Sequence, residues 1–189
     1  MNRTVSDMAY SLLSYALLGL IQQKPASGYD LRKVFTETPL ASLSDSPGAI
    51  YPALRRLEER KLVTGIVEGS GLRQRKMLRV TAAGCDELKQ WLKKPLAQSD
   101  IAHRLEELML RFAFFDNVLG EESTLQFLCA FEAGLKIHIP HLRKCLNQDG
   151  PKMALCARLA LENGVLGYEA QLKWVSHAIH SYKKKVKQS

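Results

Sequence analysis

The alternation of apolar and polar positions between Ser46 and Val63 predicts an amphipathic helix that leads into a strand. At about 100° per residue, the apolar side chains fall on one face and the polar side chains on the other, with Tyr51 at the boundary. The apolar face consists of Ile50, Ala53, Leu54 and Leu57, and the opposite face of Pro52, Arg55, Arg56 and Glu59. One face can therefore pack on a core while the other meets a partner.

The segments around this helix predict the rest of a small domain. Residues 8–21 are apolar on all sides and predict a buried first helix. The sequence SGYD, which begins at Ser27, is a capping box that opens a short second helix. Residues 62–68 and 76–81 are strand-like, and the glycine-containing stretch 69–75 between them predicts a hairpin tip. The order helix, helix, helix, hairpin predicts a winged helix-turn-helix domain.

Arginine and tyrosine on the outer face of a helix, followed by a basic hairpin, indicate a DNA-binding surface. A major groove admits a helix, whose side chains can contact phosphates and base edges, and the hairpin would lie near the neighbouring minor groove. At the helix start, exposed amides would face a phosphate. The candidate DNA-binding residues are Ser46, Pro47, Gly48, Ala49, Tyr51, Arg55, Arg56, Arg73, Arg75 and Lys76. Which arginine reads a base stays open.

The charge distribution agrees with a polyanionic partner. The net charge is +8, and residues 1–95 hold 15 basic against 9 acidic side chains, whereas residues 96–189 hold 12 against 10. The four cysteines have no paired spacing, which predicts small core residues in a reducing cytoplasm rather than a disulfide framework or a zinc site. No stretch has the roughly 20 apolar residues of a membrane span, and the start lacks a secretion signal. We therefore expect a cytoplasmic, nucleoid-associated protein.

The second half of the chain predicts a separate helical domain. Thr81 is a suitable cap for a fourth helix, after which Pro95 and polar residues break the pattern. The resulting division is a DNA-binding domain at 1–94, a linker at 95–100 and a helical dimerisation domain at 101–189 that ends in a basic, frayed tail. The predicted helices of this last domain are 101–115, 121–147 (kinked or split at Pro140) and 151–182.

The last helix has a long apolar side that predicts dimerisation. Its candidate dimerisation residues are Leu159, Leu166, Leu172, Trp174, Val175 and Ile179. Gly164 and Gly167 would allow another helix to approach closely. This side can pack on the same chain, on a second subunit or on both. A two-fold homodimer would match a palindromic operator on double-stranded DNA.

Five blocks of the sequence resemble, in order, the PadR family of bacterial transcriptional regulators. They are SYALLGLI, SGYDLRKVF, SPGAIYPALRRLEERKLV, RKMLRVTAAGCDELKQWL and LALENGVLGYEAQLKWV. The resemblance implies a mainly α fold with a β-hairpin wing, a helical C-terminal dimerisation region, and promoter regulation that is usually repression. Some members respond to small aromatic effectors such as phenolic acids, whereas others act without a ligand.

Three residues depart from the family pattern. Lys61 stands where most members have glycine, so the end of the preceding helix is expected to lack its left-handed cap. Met77 and Leu78 stand where one or two aromatic residues are usual, which leaves an aromatic contribution to the wing or to ligand contact open.

Enzymatic activity is the main alternative class to test. His138 with His141, and His177 with His180, lie one helical turn apart, but neither pair has a third ligand nearby in the sequence. We find no nucleophile elbow, phosphate loop or zinc-protease motif, and expect no catalytic residue, metal or cofactor. Two further alternatives stay open. One is a ligand-independent activator that acts with a second regulator, and the other is a protein-interaction module that uses its winged helix.

Overall fold

The computed structural model describes residues 10–44, 46–68 and 74–186. The chain forms two compact units, Met1–Lys94 and Pro95–Ser189. Each unit has its own set of buried apolar side chains and is described by itself.

The first unit is a winged helix, as the order of predicted elements indicates. Its helices are α1 (Leu12–Gln23), α2 (Gly28–Glu37), α3 (Pro47–Glu59) and α4 (Ala82–Leu92), and its strands are β1 (Ala26–Ser27), β2 (Val63–Glu68) and β3 (Arg75–Val80). The strands form one antiparallel sheet in the order β1, β3, β2. The four helices and the hairpin were predicted, whereas the two-residue strand β1 was not. The predicted start of α1 was too early, because the Ser11 hydroxyl caps the helix by accepting the Ser14 amide N–H at 3.2 Å.

The core of the first unit comes from the apolar faces that the sequence pattern predicts. The four apolar positions of α3 are at most 4% exposed, and Tyr15 of α1 stacks on Trp91 of α4 with ring centroids 4.4 Å apart. Ser27 accepts the Asp30 amide N–H, and the Asp30 carboxylate accepts the Ser27 amide N–H, so the predicted capping box is confirmed. Thr81 caps α4 through the Gly84 amide N–H.

The end of α3 differs from the expectation, because its left-handed cap is present. Lys61 has a φ of 59°, the conformation that glycine adopts at this position of a helix end. The Lys61 amide N–H donates to the Glu58 carbonyl at 2.8 Å, and the Leu62 amide N–H donates to the Leu57 carbonyl at 2.9 Å. This is the hydrogen-bond pattern of a Schellman motif, formed here with a lysine in the strained position.

The second unit consists of three helices: α5 (Gln98–His103), α6 (Leu105–Asp149) and α7 (Leu155–Val186). The predicted linker 95–100 is therefore already helical from Gln98. Asp100 accepts the Ala97 amide N–H at 2.9 Å, and the Gln98 side chain donates to the Gly134 carbonyl of α6 at 3.1 Å. These bonds hold the segment against the helical unit.

The break in α6 lies at Gly120, within the gap between the predicted helices 101–115 and 121–147, whereas the further split predicted at Pro140 is not found. Gly120 has φ 83° and ψ 171°, which only glycine adopts readily, whereas the helix continues through Pro140. The proline deprives the Lys136 carbonyl of its usual donor, and both residues are exposed, so water can serve that carbonyl. After α6, a short 3₁₀ turn at Gly150–Lys152 delays the last helix, which begins at Leu155 rather than at residue 151.

The basic tail is helical, not frayed, through Lys185. Helix α7 continues to Val186, and the Lys185 ammonium lies 2.5 Å from a carboxylate oxygen of Glu121 and 3.8 Å from one of Asp116. The expectation was wrong for this lysine, because the two carboxylates next to the Gly120 break give it partners. Lys187 lies outside the described residues.

Replacement of Lys61 by glycine should stabilise the first unit. An L-residue pays about 1–2 kcal/mol for the left-handed conformation, and the greater backbone entropy of glycine offsets part of that gain. We expect Lys61→Gly to raise the free energy of unfolding in urea by about 1 kcal/mol. Lys61→Ala removes the same side chain but keeps the strain, so it should leave the free energy nearly unchanged. Equal effects of the two substitutions would contradict the assignment.

Candidate nucleic-acid interface

Helix α3 presents the outer face that its periodicity predicts. Tyr51, Pro52, Arg55 and Arg56 are exposed, on the side away from the buried positions. At the helix start, Pro47 is the first helical residue and the Ser46 hydroxyl accepts the Gly48 amide N–H at 3.2 Å. The Ala49 amide N–H donates to the Ser46 carbonyl at 3.0 Å and the Ser46 amide N–H to the Ser44 hydroxyl at 3.2 Å, while Pro47 has no N–H. The amides predicted to face a phosphate are therefore already engaged within the chain.

Pro52 lies inside α3 rather than at its start. The helix begins at Pro47 and contains Pro52 in its second turn. Because proline has no N–H, the carbonyl of Gly48, four residues earlier, lacks its usual donor. Gly48 is exposed, so this carbonyl can bind water or a polar partner.

The two arginines on this face differ in their surroundings. The Arg55 side chain is 80% exposed, and its Nε lies 3.1 Å from a carboxylate oxygen of Glu59, one turn further along. An exposed pair at this spacing contributes only about 0.3–0.5 kcal/mol, so Arg55 can exchange Glu59 for another anion at little cost. Arg56 is also exposed.

The wing strand β3 is tied to α3 by an ion pair. The Lys76 ammonium lies 2.7 Å from a carboxylate oxygen of Glu58, which places the wing strand beside α3. Arg75, the first residue of β3, is exposed. Arg79 pairs with Glu68 across the hairpin at 3.1 Å. The predicted contact residue Arg73 lies outside the described residues.

A cleft of about 340 Å³ lies where α2, α3 and β3 meet. It is lined by Ser27, Gly28, Tyr29, Tyr51, Arg75 and Lys76. Three of these are predicted site residues, and Tyr29 is a further surface residue that the sequence analysis missed. Tyr29 is 63% exposed and lies in the first turn of α2, between Ser27 and Asp30 of the capping box.

The acidic residue beside this cleft is held by the helix cap. The Asp30 carboxylate accepts the Ser27 hydroxyl at 2.6 Å and the Ser27 amide N–H at 3.2 Å. These bonds, with smaller contributions from the charges of Arg75 and Lys24, keep the pKa of Asp30 below its usual value. Asp30 is therefore ionised at neutral pH, and its Oδ2 atom is engaged by Ser27, the residue that caps α2.

The predicted dimerisation residues fall into two groups on α7. Val175 and Ile179 are buried within their own unit, and Trp174 packs edge-on against Phe112 of α6 with centroids 5.1 Å apart. Leu159 and Leu166 are 49% and 63% exposed. Leu172 is half-buried. A β-carbon at Gly164 or Gly167 would meet nothing within 4 Å among the described atoms.

The histidine pairs do not assemble a metal centre in the described part of the chain, where no group of three or more potential ligands lies together. His138 instead packs edge-on against Tyr168 with centroids 4.6 Å apart. Burial, with the charges of His141 and His103, lowers the pKa of His138. No helix among the described residues is long and apolar enough to cross a membrane.

The first unit therefore defines a winged helix-turn-helix protein with an exposed basic helix and a basic wing strand. Residues 17–90 match the profile of the Transcriptional regulator PadR-like family. Over this domain the chain is similar to the PadR-like transcriptional regulators.

Individual relatives are more distant. The chain is 29% identical over 113 residues to the Negative transcriptional regulator PadR of Bacillus subtilis, a match that spans 59% of this chain and 60% of that protein. The crystal structure of Bacillus subtilis PadR in complex with operator DNA is 23% identical, with a TM-score of 0.41 over 90% of this chain and 99% of that one. Bacillus subtilis PadR in complex with p-coumaric acid is 21% identical, with a TM-score of 0.39 over 91% and 99% of the respective chains.

Arg55 and Arg75 should respond differently to substitution when binding to duplex DNA is measured. If Arg75 contacts a phosphate, Arg75→Ala should weaken binding to preferred and random duplexes alike and lower the salt slope by about one. If Arg55 contacts a guanine, Arg55→Ala should cost about 1–3 kcal/mol on the preferred duplex and relax the preference at one base pair of each half-site. Equal weakening on all sequences would make Arg55 a phosphate contact.

The control for both variants is Lys33→Ala. Lys33 is an exposed cation on α2 whose ammonium lies 3.8 Å from Glu37, and it lies outside the predicted contact set. Its substitution should leave the affinity and the salt slope almost unchanged. A loss as large as that of Arg75→Ala would show that net charge, rather than position, determines the effect.

Proposed function

We propose that this protein is a sequence-specific transcriptional regulator that binds double-stranded DNA. Helix α3 enters the major groove, and β2 and β3 bring the wing to the adjacent minor groove. The observation that carries the proposal is the exposed face of Tyr51, Arg55 and Arg56 beside a basic strand that Lys76 and Glu58 tie to α3. The exposed face supplies hydrogen-bond donors and positive charge, the two requirements for contact with phosphates and base edges.

The protein acts as a homodimer on a palindromic operator. Leu155, Leu159 and Leu166 are 62%, 49% and 63% exposed. They lie roughly 160° around α7 from Val175, which is buried against its own unit. Exposed leucines along one side of a long helix indicate an interaction surface, and a two-fold axis would pair this side with itself.

Of repression and activation, repression is the mode of regulation that the family supports better. The Bacillus subtilis relative is named a negative transcriptional regulator, and its structures were obtained with operator DNA and with p-coumaric acid. By analogy, a small aromatic effector is a candidate partner of this protein as well. The proposed function requires no catalytic residue, and it places the protein on the nucleoid in the cytoplasm.

Two alternatives predict other outcomes. A ligand-independent activator would need a second regulator at the promoter, so its effect on transcription would disappear without that factor. A protein-interaction module would use the exposed face of α3 on another protein. Its affinity would change little with salt if the interface were apolar, whereas release of counterions makes DNA binding fall steeply.

The central test is binding to DNA from the protein's own promoter region. We expect a palindromic duplex to bind with Kd about 10⁻⁸ M or tighter at moderate salt, and random duplexes to bind at least about a thousandfold more weakly. Gel-shift titration at several salt concentrations measures both quantities. If no duplex is preferred over random DNA, sequence-specific regulation is wrong.

The dimer is tested on the exposed leucines of α7. Leu159→Glu combined with Leu166→Glu should produce monomers in light scattering and weaken operator binding, because each subunit would place charges in an apolar contact. The helical circular dichroism signal should persist, since both positions are exposed in the single chain. Gln90→Glu, at an exposed position of α4, is the control for added negative charge. A double variant that remains dimeric would place the interface elsewhere.

A further inference from the structure

The cleft between α2, α3 and β3 contains side chains that the core does not use. Tyr29 and Tyr51 are 63% and 47% exposed, although tyrosine is a large and mainly apolar residue. Each retains a hydroxyl that can donate a hydrogen bond. Two exposed tyrosines beside Arg75 and Lys76 form a set of donors suited to an anion.

The wall of this cleft is fixed by the backbone. The Tyr51 ring lies directly on Gly28, where an added β-carbon would be 2.7 Å from its Cε1 atom. Gly28 in turn follows Ser27, whose pairing with Met77 joins β1 to β3. The first turn of α2, the Tyr51 ring and the start of β3 are thus held together before any ligand arrives.

The charges around the cleft leave Arg75 available. Lys76 is already paired with Glu58, and the Asp30 carboxylate is engaged by Ser27. Arg75 has no salt-bridge partner within the described ranges of the chain. The cleft therefore has a guanidinium that can be neutralised by an incoming anion.

The position of the cleft indicates which anion this is. It lies between the helix that the proposed function places in the major groove and the wing that it places at the minor groove. The sugar–phosphate strand that separates these two grooves must cross the surface between the two elements. We propose that the cleft holds one backbone phosphodiester in each half-site, with Tyr29 donating its hydroxyl and Arg75 its charge. This inference rests on the proposed function and adds Tyr29 to the DNA-contacting residues.

The test combines single neutral phosphates with protein variants. Each phosphate of the preferred duplex is replaced in turn by an uncharged methylphosphonate, and gel shifts are measured for the wild type, Tyr29→Phe and Arg75→Ala. In the wild type, phosphates contacted by the other predicted residues should also respond, and the position at the cleft should weaken binding about tenfold in each half-site. At that position the loss should shrink to about two- to threefold in either variant, because the contact is already missing. Unmodified DNA should bind Tyr29→Phe about three- to tenfold more weakly.

Tyr10→Phe is the matched control. Tyr10 belongs to the same unit and packs edge-on against Tyr15, so the substitution removes a hydroxyl away from the cleft. It should leave both the affinity and the methylphosphonate profile unchanged. Thermal unfolding of Tyr29→Phe, whose exposed ring is retained, verifies that the variant folds.

Three results would overturn the proposal, and they differ from one another. If the wild type binds a preferred duplex but Tyr29→Phe keeps the full methylphosphonate effect at every position, the cleft does not hold a phosphodiester. If inorganic phosphate binds saturably below 1 mM and Arg75→Ala abolishes that binding, while no methylphosphonate effect depends on Tyr29 or Arg75, the cleft is a site for a free anion and not for DNA. If the wild type prefers no duplex at all, the proposed function fails and this inference fails with it.

Discussion

Hydrogen bonds to the carbonyl of Leu62 hold the end of α3, the end of β3 and the start of α4 together. The arrangement of elements in the first unit depends on this contact. The Leu62 carbonyl accepts the Thr81 amide N–H at 3.0 Å and the Thr81 hydroxyl at 3.1 Å, and the same hydroxyl lies 2.7 Å from the Lys61 carbonyl. A β-carbon at Gly84 would lie only 2.0 Å from this oxygen. The end of α3, the end of β3 and the start of α4 therefore meet at one point, which fixes the direction in which α3 leaves the core.

These hydrogen bonds around Leu62 explain why Lys61 adopts a left-handed conformation. The bonds of Thr81 hold the Lys61 and Leu62 carbonyls in place, and the helix-end bonds of the Lys61 and Leu62 amides require a positive φ at residue 61. The strain of about 1–2 kcal/mol is smaller than the combined contribution of these bonds. A strained residue is thus retained beside the surface that carries α3 and the wing.

The acidic residues of α3 have a role in a surface that is otherwise basic. Glu58 holds Lys76, and Glu59 holds Arg55, so two of the cations are oriented in the free protein. Binding of a phosphate then replaces one anion by another, and the exposed pair of Arg55 costs little to break. Arg75, which has no such partner among the described residues, can neutralise a phosphate without that exchange.

Sequence periodicity was sufficient for the elements that bury one strong apolar face. The buried positions of α3, the capping box at Ser27 and the hairpin strands follow from local patterns, and the structure confirms them. Local patterns were insufficient where tertiary contacts decide the outcome. The break at Gly120 falls between the predicted helices 101–115 and 121–147, but the split predicted at Pro140 is absent, because the helix continues through this exposed proline. Tyr29 was missed because its place beside Arg75 depends on the pairing of β1 with β3.

The apolar residues of α7 lie on two sides of the helix. The sequence alone could not tell which of them belong to the core of their own unit and which to a subunit interface. Val175 and Ile179 are buried by their own unit, whereas Leu159 and Leu166 are exposed, although all four appear equivalent in the sequence. Complete burial of a leucine contributes about 1.5–3 kcal/mol, whereas association of two chains costs about 4–15 kcal/mol. One exposed leucine could not sustain a dimer at that cost. Leu155 extends the exposed row, and a two-fold axis would double the number of leucines buried on association. The free energy from this burial is of the same order as the cost of association. The exposed side of α7 is therefore the better candidate for the subunit interface.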